Sequence, residues 1–399
     1  MRHAGSSSEQ AVVALAQFGA ADHAHGTGVE AERRGFGEEI RPLTSLRGVL
    51  ACWVVLFHLS PLLASMFPGA IALLPLWQSG DAAVDIFFLL SGYVMWLAYA
   101  ERVPRFSPRT YGWFLWARLA RLYPVQVSQQ LAWLSAWALA TALHKPGFTS
   151  DGFDTAGLLL NLGLLQAWGV PMKMYLNYPA WSVSMEWFAY LMTPAVFAVV
   201  SFTRRSYLKW LALGALWLAL VASHGSPWSH YFRVICSYSA GAILASIAVS
   251  LPVSRVLGRL RGAVALLMVS MLIALGVRGL TYGYAMPLAG LLILALSVPT
   301  GSSDRFSSSL PVYIGRVSFS LYMTHALSIT LMHQLVHPSK FEHSPLLVRL
   351  TVLSSYVAVI LVVAVISYSL VEQPMQKRMR RRLRAWAPEF VARSNTSVI

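Results

Sequence analysis

Residues 43–60 read LTSLRGVLACWVVLFHLS, and this stretch decides the fold class of the chain. It is apolar except for a few hydroxyls and two ionisable residues, Arg47 and His58. A helix that crosses a bilayer has such a composition over about 20 residues. Their separation of eleven residues corresponds to about three helical turns plus 20°, and to an axial rise of about 16 Å. Arg47 and His58 are therefore predicted to share one helix face, with His58 near mid-membrane.

The composition of the whole chain supports the same class. Of the 399 residues, 56% are hydrophobic and 12% are charged, against roughly 25% charged in soluble domains. These values exclude a soluble enzyme and a disordered chain. Cys52 and Cys236 lie in apolar runs, so a disulfide scaffold is excluded as well. The net charge of +15 is attributed to the loops of a membrane protein, and no nucleic-acid partner is expected.

The chain is predicted to be all-α, a polytopic transmembrane bundle of about ten spanning helices plus one short re-entrant or broken helix at residues 157–170. The predicted domains are a flexible cytoplasmic N-terminal tail at 1–40, a membrane domain at 41–375, and a basic cytoplasmic tail at 376–399 that lies on anionic membrane lipids. The predicted spans are residues 43–66, 82–100, 122–144, 181–202, 207–224, 231–250, 262–279, 282–299, 313–336 and 347–371.

The distribution of basic residues predicts the orientation, because loops on the cytoplasmic side carry an excess of Lys and Arg. With ten crossings and a cytoplasmic N-terminus, the basic clusters fall inside and both termini are cytoplasmic. A crossing at 157–170 would invert the second half of the chain. The inner positions are Arg102, Arg105, Arg109, Arg118, Arg121, Arg204, Arg205, Lys209, Arg255, Arg259, Arg261 and 377–384. The outer loops keep scattered Lys145, Lys173, Arg233, Arg278, Lys340 and Arg349.

Basic residues inside or beside the spans are candidates for function, because charge at membrane depth is costly. Arg118 and Arg121 are three residues apart, and two adjacent guanidiniums suit a phosphate ligand. Ordinary anchoring by positive charge at the inner edge also explains them. His58 is the natural general base at neutral pH, although a neutral histidine in a helix–helix hydrogen bond is an equal alternative.

Acidic residues and a second histidine complete the set of candidates. Asp85 is predicted to orient an imidazole or an arginine, while the nearby Asp81 suits a helix N-terminus. Glu186 is predicted to position a substrate hydroxyl or to neutralise an arginine. His325 shares a helix face with Tyr322, and either catalysis or a hydrogen bond between helices explains it.

Several well-known catalytic motifs are missing from the sequence. It has no GxSxG elbow, GxxxxGK[ST] loop, HExxH or cysteine pair at metal spacing, so a serine triad, ATP-driven work and metal catalysis are unsupported. His333 and His337 lack a third metal ligand. The remaining pattern predicts a polyanionic donor docked on Arg47, Arg118 and Arg121, with its reactive end near His58 and an acceptor alcohol entering past Glu186 and Asp85.

Six motifs resemble, in order, those of the acyltransferase-3 family of membrane acyltransferases, which O-acylate extracytoplasmic glycans. Ala83 replaces the usual glycine and Trp187 the usual Glu or Gln. The matching stretches are LTSLRGVLACWVVLFHLS (43–60), DAAVDIFFLLSGYVM (81–95), RLARLYP (118–124), AWSVSMEWFAY (180–190), GRVSFSLYMTHAL (315–327) and LVEQPMQK (370–377).

The resemblance implies an acyltransferase of the bacterial inner membrane. It implies cytoplasmic acyl-CoA, most often acetyl-CoA, as co-substrate, and no permanently bound cofactor. His58 would be the essential base, and the acceptor a sugar hydroxyl of an exported or surface polysaccharide, or of a lipid-linked oligosaccharide. A proton-coupled secondary transporter or glycan exporter, with His58 and the acids as a relay, is the alternative. Transporters often show paired broken helices, whereas this sequence predicts a single broken helix, at residues 157–170.

Overall fold

The computed structural model describes residues 39–100, 107–144, 155–169, 177–203, 205–250, 255–298 and 305–387. These residues are helical with short connections and form no β-strand, as the sequence predicts. The principal helices are α1 (Arg41–Met66), α2 (Ala82–Tyr99), α3 (Pro108–Ala142), α4 (Thr155–Leu162), α5 (Trp181–Phe202), α6 (Ser206–Ala222), α7 (Ser229–Ser250), α8 (Arg261–Val277), α9 (Met286–Ser297), α10 (Ser309–Val336), α11 (Leu346–Ser367) and α12 (Gln373–Trp386).

Short helical elements join several of these helices. The five-residue helices are Leu74–Gln78 and Arg255–Arg259, the 3₁₀ turns are Pro68–Leu73, Ser79–Asp81, Tyr178–Ala180, Tyr282–Ala285, Arg305–Ser307 and Pro338–Phe341, and a π-turn is Tyr368–Glu372.

Each predicted span coincides with a helix, but the number of crossings is a separate question. By length and hydropathy, five helical stretches of the described chain are able to cross a membrane. Three shorter apolar helices accompany them, and the predicted count of ten is not established by these criteria. The five stretches are Arg41–Met66, Pro68–Tyr99, Tyr178–Phe202, Ser229–Val249 and Leu346–Trp386.

The apolar run at 157–170 forms the short helix α4, which ends at Leu162. Eight residues rise only about 12 Å, well short of a bilayer core of about 30 Å. Leu164 follows with a left-handed backbone at φ 58°, a conformation that a leucine in a continuing helix would not adopt. The segment is therefore a short, interrupted helix, while residue 170 lies outside the described residues.

Helix α3 begins earlier than the sequence predicts. It starts at Pro108, where the Ser107 hydroxyl accepts a hydrogen bond from the Thr110 amide at 3.2 Å and caps the helix. Arg118 and Arg121 therefore lie within a long helix and not in a loop at its edge, which corrects the prediction. The hydropathy pattern missed the first turns because their basic residues dilute the apolar signal.

Glycines bring two pairs of helices into backbone contact. A Cβ atom at Gly92 of α2 would collide with the Tyr238 carbonyl of α7, and one at Gly315 of α10 would collide with the Thr44 carbonyl of α1. Small residues at such crossings let membrane helices approach closely. The second crossing places α1 beside α10, the helices that carry His58 and His325.

The C-terminal helix α12 is packed against the bundle. Helix α11 continues through the π-turn into α12, so residue 376 lies inside a helix. The Trp116 indole of α3 donates to the Met379 carbonyl at 3.2 Å, and its ring centroid lies 5.6 Å from that of Trp386, with the two rings tilted. Leu383 is buried in the same interface. The first part of the predicted tail is therefore docked helix, and residues 1–38 and 388–399 lie outside the described residues.

Candidate functional site

A cavity of about 1060 Å³, including the space at its mouth, lies among α1, α2, α3, α5 and α10. Four of the predicted site residues, Arg47, Arg118, Arg121 and Glu186, belong to its lining. Five helices that are far apart in sequence thus converge on one pocket. The other polar residues of the lining are Thr44, Ser91, Ser182, Tyr190, Ser318 and Tyr322.

Arg47, Arg118 and Arg121 form what we call the arginine cluster. Arg118 is only 2% exposed, and its Nη2 donates to the Tyr99 hydroxyl at 3.0 Å. The guanidinium also lies 5.4–5.9 Å from the ring centroids of Tyr99, Phe114 and Tyr190, where the π-faces stabilise a cation. Its Nε has no hydrogen-bond partner among the described residues, so one donor of this buried cation remains available.

Arg121 has a buried counter-ion. Its Nη1 lies 2.7 Å from Glu372 Oε1, while Ser320 donates to the other carboxylate oxygen at 2.6 Å. The second terminal nitrogen of Arg121, Nη2, is buried and unpartnered within the described chain. Glu372 was visible in the sequence only as part of a terminal motif. Its role as a counter-ion required the fold, because 251 positions separate it from Arg121.

Glu186 brings a carboxylate into the wall of the cavity. It accepts hydrogen bonds from the Tyr190 hydroxyl at 2.5 Å and from the Ser91 hydroxyl at 3.3 Å. These two hydrogen bonds hold the carboxylate between α2 and α5. Glu186 interacts electrostatically with Arg118, so both predicted tasks, positioning a hydroxyl and balancing an arginine, are compatible with its location.

His58 and His325 contact each other, and we call them the histidine pair. His58 Nδ1 lies 2.9 Å from the Val54 carbonyl and 3.1 Å from His325 Nε2. A carbonyl oxygen can only accept, so the Val54 contact assigns the proton of the neutral His58 ring to Nδ1, and in this assignment His325 Nε2 accepts from the same N–H group. The lone pair of His58 therefore resides on Nε2, which is the form that a general base needs.

Tyr322 connects the histidine pair to the cavity. It lines the cavity, and its ring centroid is 5.9 Å from that of His325. The Tyr322 hydroxyl hydrogen-bonds with Ser182 at 2.7 Å and donates to the Pro179 carbonyl at 3.0 Å. His58 is not part of the cavity lining. The cavity that contains Arg47 therefore does not extend to His58, which corrects the predicted groove, and Tyr322 is a lining residue in ring contact with His325.

Asp85 has an arginine as its partner. The buried Asp85 carboxylate accepts from Arg233 Nε at 2.8 Å, and Asp81 lies 3.1 Å from the same guanidinium. Arg233 was expected in an outer loop, but it belongs to α7 and also lies 5.1 Å from the Trp181 ring centroid. Of the two acids, it is Asp81 whose charge acts on His58. The structure therefore places Asp85 in a pair that joins α2 to α7.

A further ion pair lies just before α1. Glu39 accepts hydrogen bonds from Arg316 Nη2 at 2.5 Å and from Thr44 at 3.1 Å. Burial raises the pKa of Glu39, but these hydrogen bonds and the Arg316 charge outweigh it, so the pKa lies below its usual value. This pair joins the start of α1 to α10 next to Ile40, which lines the cavity.

Buried glutamines on α3 were missed by the sequence analysis. Gln126 donates to the Asn161 side-chain oxygen at 3.4 Å, and Gln130 donates to the Leu158 carbonyl at 2.9 Å. Gln129, on the same face, is 7% exposed. These amides hold α4 against α3. A search restricted to ionisable groups overlooks them, although three glutamines in an apolar run are a visible signal.

Comparison with known proteins identifies the family. The sequence model of the acyltransferase-3 family, described as "Acyltransferase domain", matches residues 42–371. No solved structure matches the chain significantly. The chain therefore belongs to the acyltransferase-3 family, a class of acyltransferases that move groups other than aminoacyl groups, and its apolar helices make it a multi-pass membrane protein.

Three individual relatives match the chain over different lengths. The exopolysaccharide production protein ExoZ of Rhizobium meliloti is 27% identical over 323 residues, covering 76% of this chain and 92% of ExoZ. Acyltransferase MdmB of Streptomyces mycarofaciens is 33% identical over 177 residues, covering 43% of each chain. Protein 2 in the picA locus of Rhizobium radiobacter is 34% identical over 166 residues, covering 39% of this chain and 79% of that protein. The match thus spans less than half of MdmB and nearly all of ExoZ.

Proposed function

We propose that the protein transfers an acyl group, in the first instance acetyl, from cytoplasmic acyl-CoA to a hydroxyl of an exported or surface polysaccharide. The acceptor hydroxyl belongs to the polysaccharide itself or to a lipid-linked oligosaccharide. The observation that carries the proposal is the state of His58, whose Nδ1 is held by the Val54 carbonyl and by His325. In this assignment its Nε2 carries the lone pair, and its partner His325 lies 5.9 Å, between ring centroids, from Tyr322 in the lining of the arginine-containing cavity.

The donor site is assigned to the cavity. Its arginine cluster offers two buried N–H groups without a partner in the described chain, Arg118 Nε and Arg121 Nη2. Guanidiniums bind phosphates through paired hydrogen bonds, and a coenzyme A donor carries several phosphates. The wall beyond the arginines is largely apolar, with Phe87, Phe88 and Val94 among its residues. It suits the uncharged arm that carries the thioester.

The transfer step uses His58 as the base. Nε2 of His58 removes the proton from the sugar hydroxyl while its oxygen attacks the thioester carbonyl carbon. The tetrahedral intermediate collapses as the C–S bond breaks. The sulfur leaves with the electron pair and takes a proton from the imidazolium, so the products are an O-acyl sugar and the free thiol of coenzyme A. Asp81, whose charge acts on His58, stabilises the transient imidazolium.

The same proposal includes the membrane arrangement. We place the protein in a bacterial inner membrane with about ten crossings and both termini in the cytoplasm. In that orientation the arginine cluster faces the donor compartment and the acceptor reaches His58 from the opposite side. The positive-inside distribution of Lys and Arg supports this orientation, and the name of ExoZ supports an exopolysaccharide as the acceptor.

The proposal is tested by comparing two histidine variants. His58→Ala should lower the acylation rate by at least about 100-fold, the usual contribution of a general base. His333→Ala serves as the matched control, because His333 also hydrogen-bonds a carbonyl of its own helix but packs on Tyr356, away from the cavity. The readout is the mass of cell-surface polysaccharide from strains that produce each variant at equal membrane levels.

Two outcomes would contradict the proposal. Wild-type acylation in the His58→Ala strain would remove His58 from the reaction. Proton-coupled uptake of a glycan into vesicles that contain the wild-type protein but no acyl donor would instead support a transporter. A mass difference of one acyl unit between wild-type and His58→Ala polysaccharide, with an unchanged His333→Ala product, is the expected result.

A further inference from the structure

Ser318 of α10 lies in the wall of the cavity with an unpartnered hydroxyl. The residue lines the cavity and is only 1% exposed. Within the described part of the chain, its hydroxyl oxygen has no hydrogen-bond partner. Serine in a helix commonly donates to the carbonyl one turn earlier, as Ser328 of the same helix does to Thr324 at 3.0 Å. The buried Ser318 hydroxyl therefore carries a desolvation cost that a bound acceptor would offset.

The other hydroxyl groups of the cavity wall each have an acceptor in the described structure. The acceptors are carboxylates, a neighbouring hydroxyl and a backbone carbonyl. The bonded groups are Thr44 with Glu39, Ser91 and Tyr190 with Glu186, and Ser182 and Tyr322 with each other and with the Pro179 carbonyl. Ser318 is thus the one hydroxyl of the described lining whose proton is left for a ligand.

Ser318 lies beside the arginine cluster. The ring centroid of the next residue, Phe319, is 5.3 Å from the guanidinium carbon of Arg121. Ser320 donates to Glu372, which is the counter-ion of Arg121. The start of α10 and the proposed phosphate site are therefore adjacent. The part of a bound donor that follows its phosphates would lie next to Ser318.

The distance along α10 from Ser318 to the histidine pair matches the length of the pantetheine arm of coenzyme A. His325 follows Ser318 by seven residues, which is about two helical turns on one face and a rise of about 10 Å. From the amide carbonyl nearest the phosphates to the thioester carbon, the arm has about nine bonds, as in about three extended peptide residues, or about 10 Å. A donor whose amide carbonyl meets Ser318 can therefore place its thioester at the level of His325.

We propose that the Ser318 hydroxyl donates a hydrogen bond to the amide carbonyl of coenzyme A that lies nearest the phosphates. The inference rests on the proposed function, because it takes acyl-CoA as the donor. It gives Ser318 a task different from that of the arginine cluster. The arginines bind the phosphates, whereas Ser318 sets how far the arm reaches towards His58. Because the amide belongs to the arm and not to the nucleotide, its contribution is measurable separately.

The test compares the binding of coenzyme A with that of adenosine 3′,5′-bisphosphate, which has phosphates but no pantetheine arm. Equilibrium binding is measured with the full-length protein in nanodiscs of neutral lipid. Ser318→Ala should weaken the binding of coenzyme A by about three- to tenfold, the effect of losing one neutral hydrogen bond. Binding of the bisphosphate should be unchanged, which also shows that the variant is folded and keeps its arginine cluster.

Ser328→Ala is the matched control, because it removes a similarly buried hydroxyl of the same helix that is bonded within that helix. It should bind both compounds with wild-type affinity. Unchanged binding of coenzyme A by Ser318→Ala, or an equal loss in Ser328→Ala, would overturn the inference and leave the acyltransferase proposal intact. An equal loss of bisphosphate binding in Ser318→Ala would also overturn it, since the hydroxyl would then support the arginine cluster. A wild-type protein that binds neither compound would overturn both proposals.

Discussion

Two hydrogen bonds determine what His58 can do. A histidine with both ring nitrogens bonded to packed helices would be a structural residue. That is one of the two interpretations of His58 that the sequence allowed. In the described part of this protein, the two polar contacts of His58 both fall on Nδ1, one with the Val54 carbonyl and one with His325. His58 is also only partly buried. The ring is therefore held from one side while Nε2 stays available, which joins the two interpretations: the helix–helix hydrogen bond orients the proposed base.

The ion pairs of Arg121 and Arg316 differ in how deeply they are buried. Comparing them tests how burial changes the free energy that is lost when an ion pair is broken. Both arginines bind a glutamate, but the Arg121 and Glu372 side chains are 15% and 1% exposed, against 52% and 25% for Arg316 and Glu39. Glu372→Gln leaves a buried cation without its counter-ion and should destabilise the protein by about 3 kcal/mol. Arg316→Gln breaks an exposed pair and should cost less than about 1 kcal/mol.

The measurement is the free energy of unfolding in detergent, obtained from denaturant titrations of both variants and the wild type. A double variant, Arg121→Met with Glu372→Leu, should recover part of the loss, because it removes both buried charges together. Equal effects of Glu372→Gln and Arg316→Gln would show that burial of the first pair has no energetic consequence. The assigned role of Glu372 as a counter-ion would then be wrong.

At the scale of helices, contact between α2 and α7 depends on glycine. An added methyl group at Gly92 would meet the Tyr238 backbone carbonyl, which cannot move away as a side chain could. Gly92→Ala should therefore separate the two helices and lower stability by about 1–3 kcal/mol or more. Gly112→Ala in α3 is the control, because nothing lies within 4 Å of its added Cβ.

Gly112→Ala should be neutral or slightly stabilising, since alanine favours a helix over glycine by up to about 1 kcal/mol. The midpoint of thermal unfolding, followed by helical circular dichroism, distinguishes the two substitutions. A Gly92→Ala protein with the wild-type midpoint would mean that α2 and α7 are not in backbone contact. Since Asp85 of α2 also binds Arg233 of α7, that result would question the whole interface.

The helices were predictable from sequence because each follows from a local run of apolar residues. The partners of the polar side chains were not, since they depend on which helices pack together. Arg121 and Glu372 are 251 positions apart, and Asp85 and Arg233 are 148 apart. The candidate residues were found by asking which charges lie in apolar runs. Their separation into an arginine cluster, a histidine pair and the Asp85 ion pair required the tertiary structure.

For the whole molecule, the proposed reaction requires that donor and acceptor approach from opposite sides. The cavity contains the arginine cluster, and Tyr322 of its lining is in ring contact with His325 of the histidine pair. Donor and acceptor can approach in this way only if the two ends of the helix bundle face different compartments.

The number of crossings is testable, because the helices α6 to α10 include three of marginal length. Helix α9 has 12 residues and rises about 18 Å, less than the bilayer core of about 30 Å. If all five helices cross, Ser206 at the start of α6 and His343 after α10 face opposite sides. Ser206→Cys and His343→Cys are prepared in a protein without its natural Cys52 and Cys236.

A membrane-impermeant maleimide should label His343→Cys in intact cells, whereas Ser206→Cys should react only after permeabilisation. His224→Cys, one crossing beyond Ser206, should behave like His343→Cys. Labelling of His224→Cys but not of His343→Cys would mean that an even number of helices crosses between Ser206 and His343, with α9 the first candidate for a helix that stays within one leaflet. In that case α10 would run in the opposite direction. Arg316 would then lie on the opposite side from Arg47, against the contact of Gly315 with Thr44 at the starts of α10 and α1, whereas the arginine cluster on α1 and α3 would keep its side.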